Sequence, residues 1–590
     1  MNRLPVFAAT GLLAGIAVLA FAQQLQPPQP PTPSVIDWIR THAIPLATVD
    51  AGHGFDDLQP LKKIIGDARV VELGEATHGT SEFFRMKHRM LEFLATQMGF
   101  TIFSIEANMP EAYRLNDYVL DGKGDPKALI KGMNFWTWDT QEVLAMVEWM
   151  RGFNQSGKGH VEFTGFDMQA PNVALQTVFQ FLQANDAGYV DAFKDAAKLA
   201  TAQNAQPGFG VATAEFPLAD AAGKRIHYSG YIKTEGITSG YAGLWWRVDG
   251  QSGVLAFDNM GTRGVTGTTD WKKYEIDLPV AADAKDIAFG ALHPGNGTAW
   301  FDGLSVDIDG KPWENDGTLD LDFEFPAPHG FYIGGTGYQV QTDTSVFHSG
   351  DQSLRMKFVG APPPPGADPK AVIAAWEQVV SHMETQRETY LAGKLPAKDV
   401  DWAIQNARIV LQAMQLRANP AVRDESMATN IQWILKQNPD AKMVVWAHNG
   451  HVQASSPGKD QPMGSWLRKA LGNQLVALGF AFNEGSFQAV EQGKGLHDFT
   501  VPPAPDGSLD ATFASTGIPL FALDLRQIPS PGPVADWFGQ LNRTRSIGAV
   551  FSDAMAPQFL LPFIAPRSFD AMFFVEKTTA AHPNTPPAKP

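Results

Sequence analysis

The sequence predicts an α/β protein with a mainly parallel β-sheet flanked by helices, interrupted by an all-β insertion of jelly-roll or sandwich type. The sheet is predicted by four short runs rich in Val, Ile, Phe or Trp, at residues 68–73, 100–106, 160–166 and 442–448. Helical segments flank each run, as in parallel sheets covered on both faces. The insertion is predicted by residues 207–360, which are rich in Gly, Thr and aromatic residues and carry turn signals at the spacing of short strands.

The first 22 residues have the pattern of a signal peptide. Asn2 and Arg3 form a short polar start, and an apolar run follows from Leu12 to Phe21. Small residues at the correct spacing suit cleavage after Ala22. The run is shorter than a membrane span, so we expect a periplasmic or secreted protein without membrane attachment after cleavage. An uncleaved anchor is the alternative.

Composition divides the remaining chain into five parts. Residues 23–33 form a Pro/Gln-rich linker, and residues 580–590 are expected to be a disordered tail. Residues 34–206 and 367–579 alternate strand-like and helical segments and form the predicted α/β catalytic domain. Residues 207–360 form the inserted β-sandwich domain.

The composition also excludes some partners and reactions. The 590 residues include 62 acidic and 46 basic side chains, and this acid excess argues against nucleic acid as a partner. The chain has no cysteine, so it uses neither disulfides nor a thiol nucleophile. A G-x-S-x-G motif is also absent from the sequence. An activated water is therefore the simplest attacking group.

Polar side chains follow each of the four predicted strands. The carboxyl ends of parallel strands lie along one edge of a sheet, where ligands bind. We therefore expect these side chains to form one cluster. The residues are Glu75, His78, Glu106, Asp167, His448 and His451.

His78 is the candidate general base of this cluster. A histidine titrates near pH 6.5, and Glu75 or Glu106 could orient its ring by accepting a hydrogen bond from the second nitrogen. The flanking Gly74 and Gly79 suit a tight loop that approaches a ligand closely. The alternative is a histidine that only stabilises the loop.

Lys87 lies in the middle of the apolar face of the helix that follows this loop. A buried lysine needs an anionic partner, and the carboxylates at the strand ends are the nearest candidates. Alternatively, its ammonium group reaches solvent along the helix.

His448 and His451 have two interpretations. With Glu or Asp ligands they could bind zinc, although the Asn-Gly between them favours a loop over a metal-binding helix. Otherwise they position the substrate or stabilise an oxyanion, or simply stabilise a turn. Asp167 is a substrate-binding candidate, with a helix N-cap as the alternative.

Six motifs occur in an order that resembles the erythromycin esterase family. The resemblance covers the chain from about residue 40 to 205 and from about 367 to 575. The motifs are GEATHGTSEFF, IEAN, WTWDTQEVLAMVEWMRGFN, GFDMQ, RDESMATN and WAHNGH.

The resemblance implies a hydrolase of carboxylic esters, since characterised members open macrolide lactones. It assigns catalysis to His78 with Glu75 and Glu106, and it places the downstream histidine pair at His448 and His451, without an obligatory metal or other cofactor. Two features depart from the family pattern: Lys87 replaces an arginine, and the insertion is not part of the minimal esterase.

Three hypotheses follow. The first is an exported ester hydrolase in which Lys87, His448, His451 and Asp167 bind a small-molecule ester. The second is a metal-dependent hydrolase of another substrate, and the third is a non-catalytic envelope protein that binds glycans. Carbohydrate contact through the insertion would use its tryptophans, unless they fill the core. These are Trp245, Trp246, Trp271 and Trp300.

Overall fold

The computed structural model describes residues 30–584, with gaps at 203–208, 251–252, 262, 316, 326–327, 336, 360–367, 457–460 and 492–494. The predicted signal peptide and most of the predicted linker lie outside the described residues. The described chain forms two compact units. The first contains the chain up to Val190, Ile373–Ala489 and the chain from Asp498 onward, and the second contains Asp191–Val372 and Val490–His497.

The strands are given in chain order. They are β1 (Ile44–Pro45), β2 (Val70–Leu73), β3 (Ile102–Asn108), β4 (Glu162–Asp167), β5 (Phe209–Glu215), β6 (Arg225–Gly250), β7 (Gly253–Asp258), β8 (Val265–Pro279), β9 (Asp286–Pro294), β10 (Thr298–Ile308), β11 (Lys311–Pro312), β12 (Tyr332–Gly334), β13 (Tyr338–Asp343), β14 (Ser353–Phe358), β15 (Met443–Trp446), β16 (Leu475–Glu491), β17 (Gly495–Val501), β18 (Leu520–Asp524), β19 (Asn542–Arg545), β20 (Leu560–Phe563) and β21 (Ala571–Thr578).

The helices follow the same numbering. They are α1 (Pro33–His42), α2 (Leu61–Ile65), α3 (Ser81–Met98), α4 (Met109–Asp121), α5 (Pro126–Gly132), α6 (Gln141–Gln155), α7 (Asn172–Asn185), α8 (Val190–Ala202), α9 (Leu218–Ala221), α10 (Pro369–Thr385), α11 (Arg387–Ala392), α12 (Ala397–Ala418), α13 (Arg423–Gln437), α14 (Asn449–Val452), α15 (Met463–Leu471), α16 (Leu509–Ala514), α17 (Pro533–Gly539) and α18 (Ala565–Ser568).

The first unit contains the predicted mainly parallel sheet, which confirms the fold class. Its strand order is β1-β18-β21-β16-β2-β15-β3-β4, and β17 pairs with β16. The six strands from β21 to β4 run parallel. Beyond β21, β18 pairs antiparallel with β21, and β1 pairs antiparallel with β18, so β1 runs in the direction of the six. Every residue of β2, β15 and β3 is buried, because the central strands of such a sheet are covered on both faces.

Strand β15 comes from the second half of the chain but lies between two strands of the first half. Val444 is in register with Val71 of β2 on one side and with Phe103 of β3 on the other. This insertion of one strand brings the loop that follows Trp446 between the loops that follow β2 and β3. The sheet edge therefore combines residues from distant parts of the sequence.

Helix α3 carries the predicted apolar face, but its other face is also partly buried. Arg89 is 1% exposed and donates to the Asp57 carboxylate at 2.6 and 2.9 Å. The side chain of Thr80, the residue that precedes the helix, makes no hydrogen bond that caps it. Its hydroxyl instead lies 2.6 Å from the hydroxyl of Thr77 within the preceding loop.

The second unit confirms the predicted all-β insertion as an antiparallel sheet. Its main strand order is β12-β5-β9-β6-β10-β14-β13. Strand β6 is 26 residues long. Its first half pairs with β8 and β10, and its second half pairs with β7 and β9. Register shifts along its pairing with β8 accompany this change of partners.

The four tryptophans of the insertion do not share one surface role. Trp246 is completely buried in the core of the unit, and Trp300 is 6% exposed with its Nε1 donating to Asp343 Oδ2 at 2.9 Å. These two rings are therefore unavailable for stacking with a sugar. Trp245 and Trp271 are partly exposed, and carbohydrate contact through them stays a prediction.

The predicted disordered tail, residues 580–590, includes five residues that are packed in the structure. Residues 580–584 pack against the first unit: Ala581 is buried, and His582 and Asn584 are hydrogen-bonded to the chain around α6. Residues 585–590 lie outside the described residues. None of the described helices combines the length and apolar character that a membrane span requires.

Candidate active site

The predicted polar residues meet at the carboxyl edge of the parallel strands. Glu75 and His78 lie in the loop between β2 and α3, and Glu106 is near the end of β3. Asp167 ends β4, and His448 immediately precedes the short helix α14 that contains His451. The His78 and His448 ring centroids are 5.0 Å apart. The two histidine loops therefore face one space, as the strand-end argument predicted.

Glu75 is the acceptor at the centre of the site. It is completely buried, and its Oε1 accepts from His78 Nδ1 at 2.7 Å. Its Oε2 accepts from Trp446 Nε1 at 2.7 Å and from the ammonium group of Lys87. Burial raises the pKa of Glu75, but the Lys87 charge and the His78 bond outweigh it and leave the pKa lowered. The carboxylate is therefore ionised and fully engaged by donors.

The sequence left open which glutamate orients His78, and the structure assigns this contact to Glu75. Because an ionised carboxylate only accepts, His78 donates through Nδ1, which leaves Nε2 as its basic nitrogen. The ring stands edge-on to Trp138 with centroids 6.0 Å apart. The His78 side chain is 11% exposed, so the base is sheltered but not sealed from solvent.

His448 has the opposite polarity. Its Nδ1 accepts the backbone N–H of Gly450 at 3.1 Å, so a neutral ring carries its proton on Nε2. Burial, reinforced by the neighbouring His78 and His451, lowers the pKa of His448 to about 3, which keeps the ring neutral. Nε2 is buried and has no hydrogen-bond partner within the described residues. His448 thus offers one free donor beside the base.

Glu106 holds the His448 loop rather than His78. Its Oε2 accepts from the His448 backbone N–H at 3.0 Å, and its Oε1 accepts from Arg423 Nη2 at 2.8 Å. His451 Nε2 is 3.4 Å from the same Oε1. Burial raises the pKa of Glu106, but the charges of His451 and Arg423 outweigh it and hold the pKa well below its usual range.

Arg423, at the start of α13, was missed in the prediction from sequence. Its Nη2 also donates to Asp167 Oδ2 at 2.7 Å, so it joins the carboxylates that end β3 and β4. Asp167 is completely buried and also accepts from Met168 N at 2.8 Å and Gln169 Nε2 at 2.6 Å. It therefore acts on the site through Arg423.

Asp424 is the second residue that the prediction missed. Its Oδ1 accepts from His451 Nδ1 and from Met463 N, both at 2.8 Å. Burial lowers the pKa of His451, but the Asp424 and Glu106 carboxylates outweigh it and raise the pKa overall. The Arg423 guanidinium, with Nη1 3.1 Å from His451 Nε2, instead favours a neutral ring. The bond to Asp424 persists in both states. Both missed residues belong to the motif RDESMATN, which was the available signal.

Lys87 has the anionic partner that its position required. Its ammonium group pairs with Glu75 and lies 4.5 Å from the centroid of the Trp446 ring. The side chain is completely buried, and its ammonium group contacts the equally buried Glu75 carboxylate. Burial lowers the pKa of Lys87 to about 8, although Glu75 and Glu106 oppose the shift. Lys87 therefore balances the charge of the residue that orients His78.

Gly74 and Gly79 are required by packing of the protein against itself. A Cβ at Gly74 would lie 2.2 Å from Asn449 Oδ1, and one at Gly79 would lie 2.2 Å from the Gln488 backbone oxygen. The expectation that these glycines bring the backbone close to a ligand stays a prediction. They allow the His78 loop to fit between the neighbouring chain segments.

Two further observations concern metal binding and a groove outside the site. In the described part of the chain, no three His, Cys, Asp or Glu side chains are arranged to hold a metal ion. A separate surface groove of about 530 Å³ is bordered by Phe55, Glu92, Trp149 and Phe153, and none of the predicted site residues lines it.

The sequence matches the model of one known family, described as erythromycin esterase, over residues 95–224 and 352–578. Glu106, Asp167, Arg423, His448 and His451 lie inside these segments, whereas the loop with Glu75 and His78 precedes them. The matched segments cover more than half of the chain.

Two curated relatives are similar over shorter stretches. An erythromycin esterase type II from Escherichia coli is 29% identical over 170 residues, which are 28% of this chain and 40% of the relative. A putative hydrolase from Bacillus subtilis is 32% identical over 133 residues, which are 22% of this chain and 29% of the relative. The chain therefore spans less than half the length of either relative.

Solved structures resemble nearly the whole chain. A Bacillus cereus protein aligns with a TM-score of 0.59 and 18% identity, covering 94% of this chain and 99% of its own. A succinoglycan biosynthesis protein gives a TM-score of 0.57 at 19% identity, with coverages of 93% and 98%. An erythromycin esterase in its open conformation gives 0.50 at 12% identity, with coverages of 91% and 96%. These likenesses show the fold, and the family match adds that the chain belongs to the erythromycin esterase family.

Proposed function

We propose that this protein is a carboxylic ester hydrolase in which His78 activates a water molecule. Family membership supports a hydrolase. The observation that carries the proposal is the pairing of His78 with His448, whose ring centroids are 5.0 Å apart and whose tautomers are opposite. One ring presents a basic nitrogen and the other an N–H, so together they can activate water and polarise a carbonyl group.

The reaction begins with a water molecule bound at His78 Nε2. His78 takes one proton from it, and the water oxygen attacks the ester carbonyl carbon. The carbonyl electron pair moves to oxygen, where it receives the hydrogen bond from His448 Nε2. When the tetrahedral intermediate collapses, the C–O bond to the alcohol breaks, and the alkoxide takes the proton from His78. The products are a carboxylic acid and an alcohol.

Glu75 supports this reaction by fixing His78. Its bond to Nδ1 keeps Nε2 basic and stabilises the imidazolium that forms in the first step. Lys87 and Trp446 hold the other carboxylate oxygen, so the carboxylate cannot turn away from His78. We therefore assign Lys87 to charge balance and positioning.

The Arg423 network has a second task. Arg423 neutralises Glu106 and Asp167, and Glu106 in turn fixes the backbone of His448. The Arg423 side chain is still 21% exposed, so part of the guanidinium can meet a substrate oxygen or the product carboxylate. The site therefore favours acceptor-rich substrates such as esters.

A macrolide lactone is the proposed substrate class within the esters, because the Escherichia coli relative is named an erythromycin esterase. A metal-dependent hydrolase is the alternative, but the Arg423 guanidinium 3.1 Å from His451 Nε2 would repel a cation there. We also propose that the protein is exported and cleaved after Ala22. Amino-terminal sequencing of the mature protein tests this: a mature chain starting at Met1 would reject it.

The proposed function is tested with purified wild type and His78→Gln on a panel of macrolides and simple aryl esters, with and without chelator. His160→Gln is the matched control, since the same change is made at an exposed histidine whose side chain is 53% exposed. We expect hydrolysis by wild type and the control but not by His78→Gln, whether or not chelator is present.

Each other outcome points elsewhere. Activity that chelator removes would replace the proposal with the metal-dependent reaction. Full activity of His78→Gln would reject His78 as the base. If wild type hydrolysed no ester on the panel, the assignment to ester hydrolysis would be overturned.

A further inference from the structure

We propose that the C-terminal segment Thr579–Asn584, here called the C-terminal brace, positions His78 by tying the His78 loop to the loop that carries Trp138. The inference rests on the proposed function, because it treats His78 as the reacting base. The brace comes directly after β21, the strand that ends at Thr578. It contributes no side chain to the hydrogen bonds of Glu75, His78 or His448 described above.

The brace pairs with the end of the His78 loop through two backbone hydrogen bonds. Ser81 N donates to Thr579 O at 2.9 Å, and Ala581 N donates to Gly79 O at 2.9 Å. Between them, Thr80 and Ala580 form an antiparallel bridge. The backbone immediately after His78 is therefore held like an edge strand, although it belongs to no named strand.

The other half of the brace pairs with the Trp138 loop. Gln141 N donates to His582 O at 2.7 Å, and Asn584 N donates to Asp139 O at 3.0 Å. Trp138 borders this contact, and its ring stands edge-on to His78 while its Nε1 donates to the Glu106 carbonyl at 2.9 Å. The brace thus joins two loops that meet around the His78 imidazole.

Glu142 fastens the two halves together. Its Oε1 accepts from Ser81 Oγ at 2.6 Å and lies 2.7 Å from His582 Nδ1, and its Oε2 accepts from His582 N at 3.1 Å. The Glu142 side chain is 5% exposed, so the carboxylate is buried, although the His582 side chain that it contacts is 64% exposed. Glu142 is a positioning residue, because it links the start of α3, the start of α6 and the brace.

The physical consequence concerns the placement of His78. Residues of α3 and β2 keep the loop attached to the core, so loss of the brace would loosen the loop without unfolding the sheet. A displacement of about 1 Å in a reacting group can lower a rate about 100-fold. Local opening of a loop also speeds exchange of its amide hydrogens, which provides a readout independent of catalysis.

The test compares two truncated proteins. A chain ending after Thr578 lacks the brace, and a chain ending after Asn584 keeps it and loses only the six last residues. We expect the first to lose about 10- to 100-fold in kcat with little change in KM, and the second to match wild type. In hydrogen exchange, the peptide containing Gly79–Ser81 should exchange faster in the first chain only.

Glu142→Gln and Glu142→Ala cover the case in which the shorter chain fails to fold. Glutamine keeps an acceptor for Ser81 and His582, so Glu142→Gln should retain most of the activity that Glu142→Ala loses. Glu142→Ala should also show the faster amide exchange at Gly79–Ser81 that is expected for the shorter chain. Unchanged exchange at Gly79–Ser81 and unchanged kcat in the shorter chain, or in Glu142→Ala, would overturn the proposal. If exchange is faster in the chain without the brace but wild type hydrolyses no ester, the brace proposal stands and the proposed function is rejected.

Discussion

Replacement of Glu75 by glutamine tests the centre of the proposed reaction with almost no change in volume. All three partners of the carboxylate are donors: His78 Nδ1, Lys87 Nζ and Trp446 Nε1. A glutamine offers one acceptor oxygen and one NH2 donor. If its oxygen faces Lys87 and Trp446, its NH2 faces His78, which must then turn Nδ1 into an acceptor and move its proton to Nε2.

The size of the effect follows from this change of tautomer. A base whose proton sits on the reacting nitrogen cannot accept one from water, and the analogous Asp→Asn change in serine proteases lowers kcat about 10⁴-fold. We expect a loss of about 10³- to 10⁴-fold in kcat, or about 4–5.5 kcal/mol of activation free energy. Lys87 loses its counter-ion, but burial lowers the pKa of its ammonium group, and without Glu75 to oppose that shift it can release a proton, which limits the loss of folding stability.

The assay is the steady-state hydrolysis of the best ester from the panel, with thermal unfolding measured in parallel. Glu72→Gln is the matched control, because Glu72 lies in β2, the strand that leads into the Glu75 loop, and is completely buried. Burial raises its pKa well above the usual range, and neither carboxyl oxygen has a hydrogen-bond partner in the described chain, so the glutamine replaces a neutral acid. Glu75→Gln activity within tenfold of wild type would refute the reasoning.

Three further predictions concern His448 and Arg423. His448→Ala should lower kcat about 10²- to 10³-fold through loss of one oxyanion donor, and a change confined to KM would contradict this. Because the folded-state pKa of His448 is lowered to about 3, its contribution to stability is present above pH 6.5 and is lost as pH falls toward 3. The free energy of unfolding, measured by denaturant titration, should therefore decrease less steeply with falling pH in His448→Gln than in wild type, by up to about 1.4 kcal/mol per pH unit. Parallel curves for the two proteins would contradict this prediction. Arg423→Ala should destabilise the fold by about 3–5 kcal/mol, because two buried carboxylates lose their partner, and Arg423→Lys should lose less; equal melting temperatures of the alanine variant and wild type would reject this.

The sheet could be predicted because its strands are short apolar runs with polar ends. The four predicted segments correspond to β2, β3, β4 and β15. The order of these strands could not be predicted, since apolar composition does not record which neighbour a strand pairs with. The antiparallel edge formed by β18 and β1 was missed for the same reason.

The side-chain network was less accessible from the sequence than the cluster itself. Because an unpaired buried charge is costly, the position of Lys87 predicted a carboxylate partner, and that partner is Glu75. For Arg423 and Asp424 the only signal was their place in the RDESMATN motif, because charged residues in the first turn of a helix are usually solvated and their type alone predicts no burial. The brace was predicted to be part of a disordered tail because residues 580–590 are rich in Ala and Pro and lack a periodic apolar pattern. Most of its hydrogen bonds instead use its own backbone atoms, which composition cannot reveal.

The position of β15 has a consequence for biosynthesis. Its place between β2 and β3 is filled by residues that follow Asn108 by about 330 positions, so a ribosome adding about 5–20 residues per second would need roughly 20 seconds to one minute to reach them. Until then the two early strands cannot complete the native sheet, and their unpaired edges are exposed to aggregation. The nascent first unit should depend on chaperone protection during this interval.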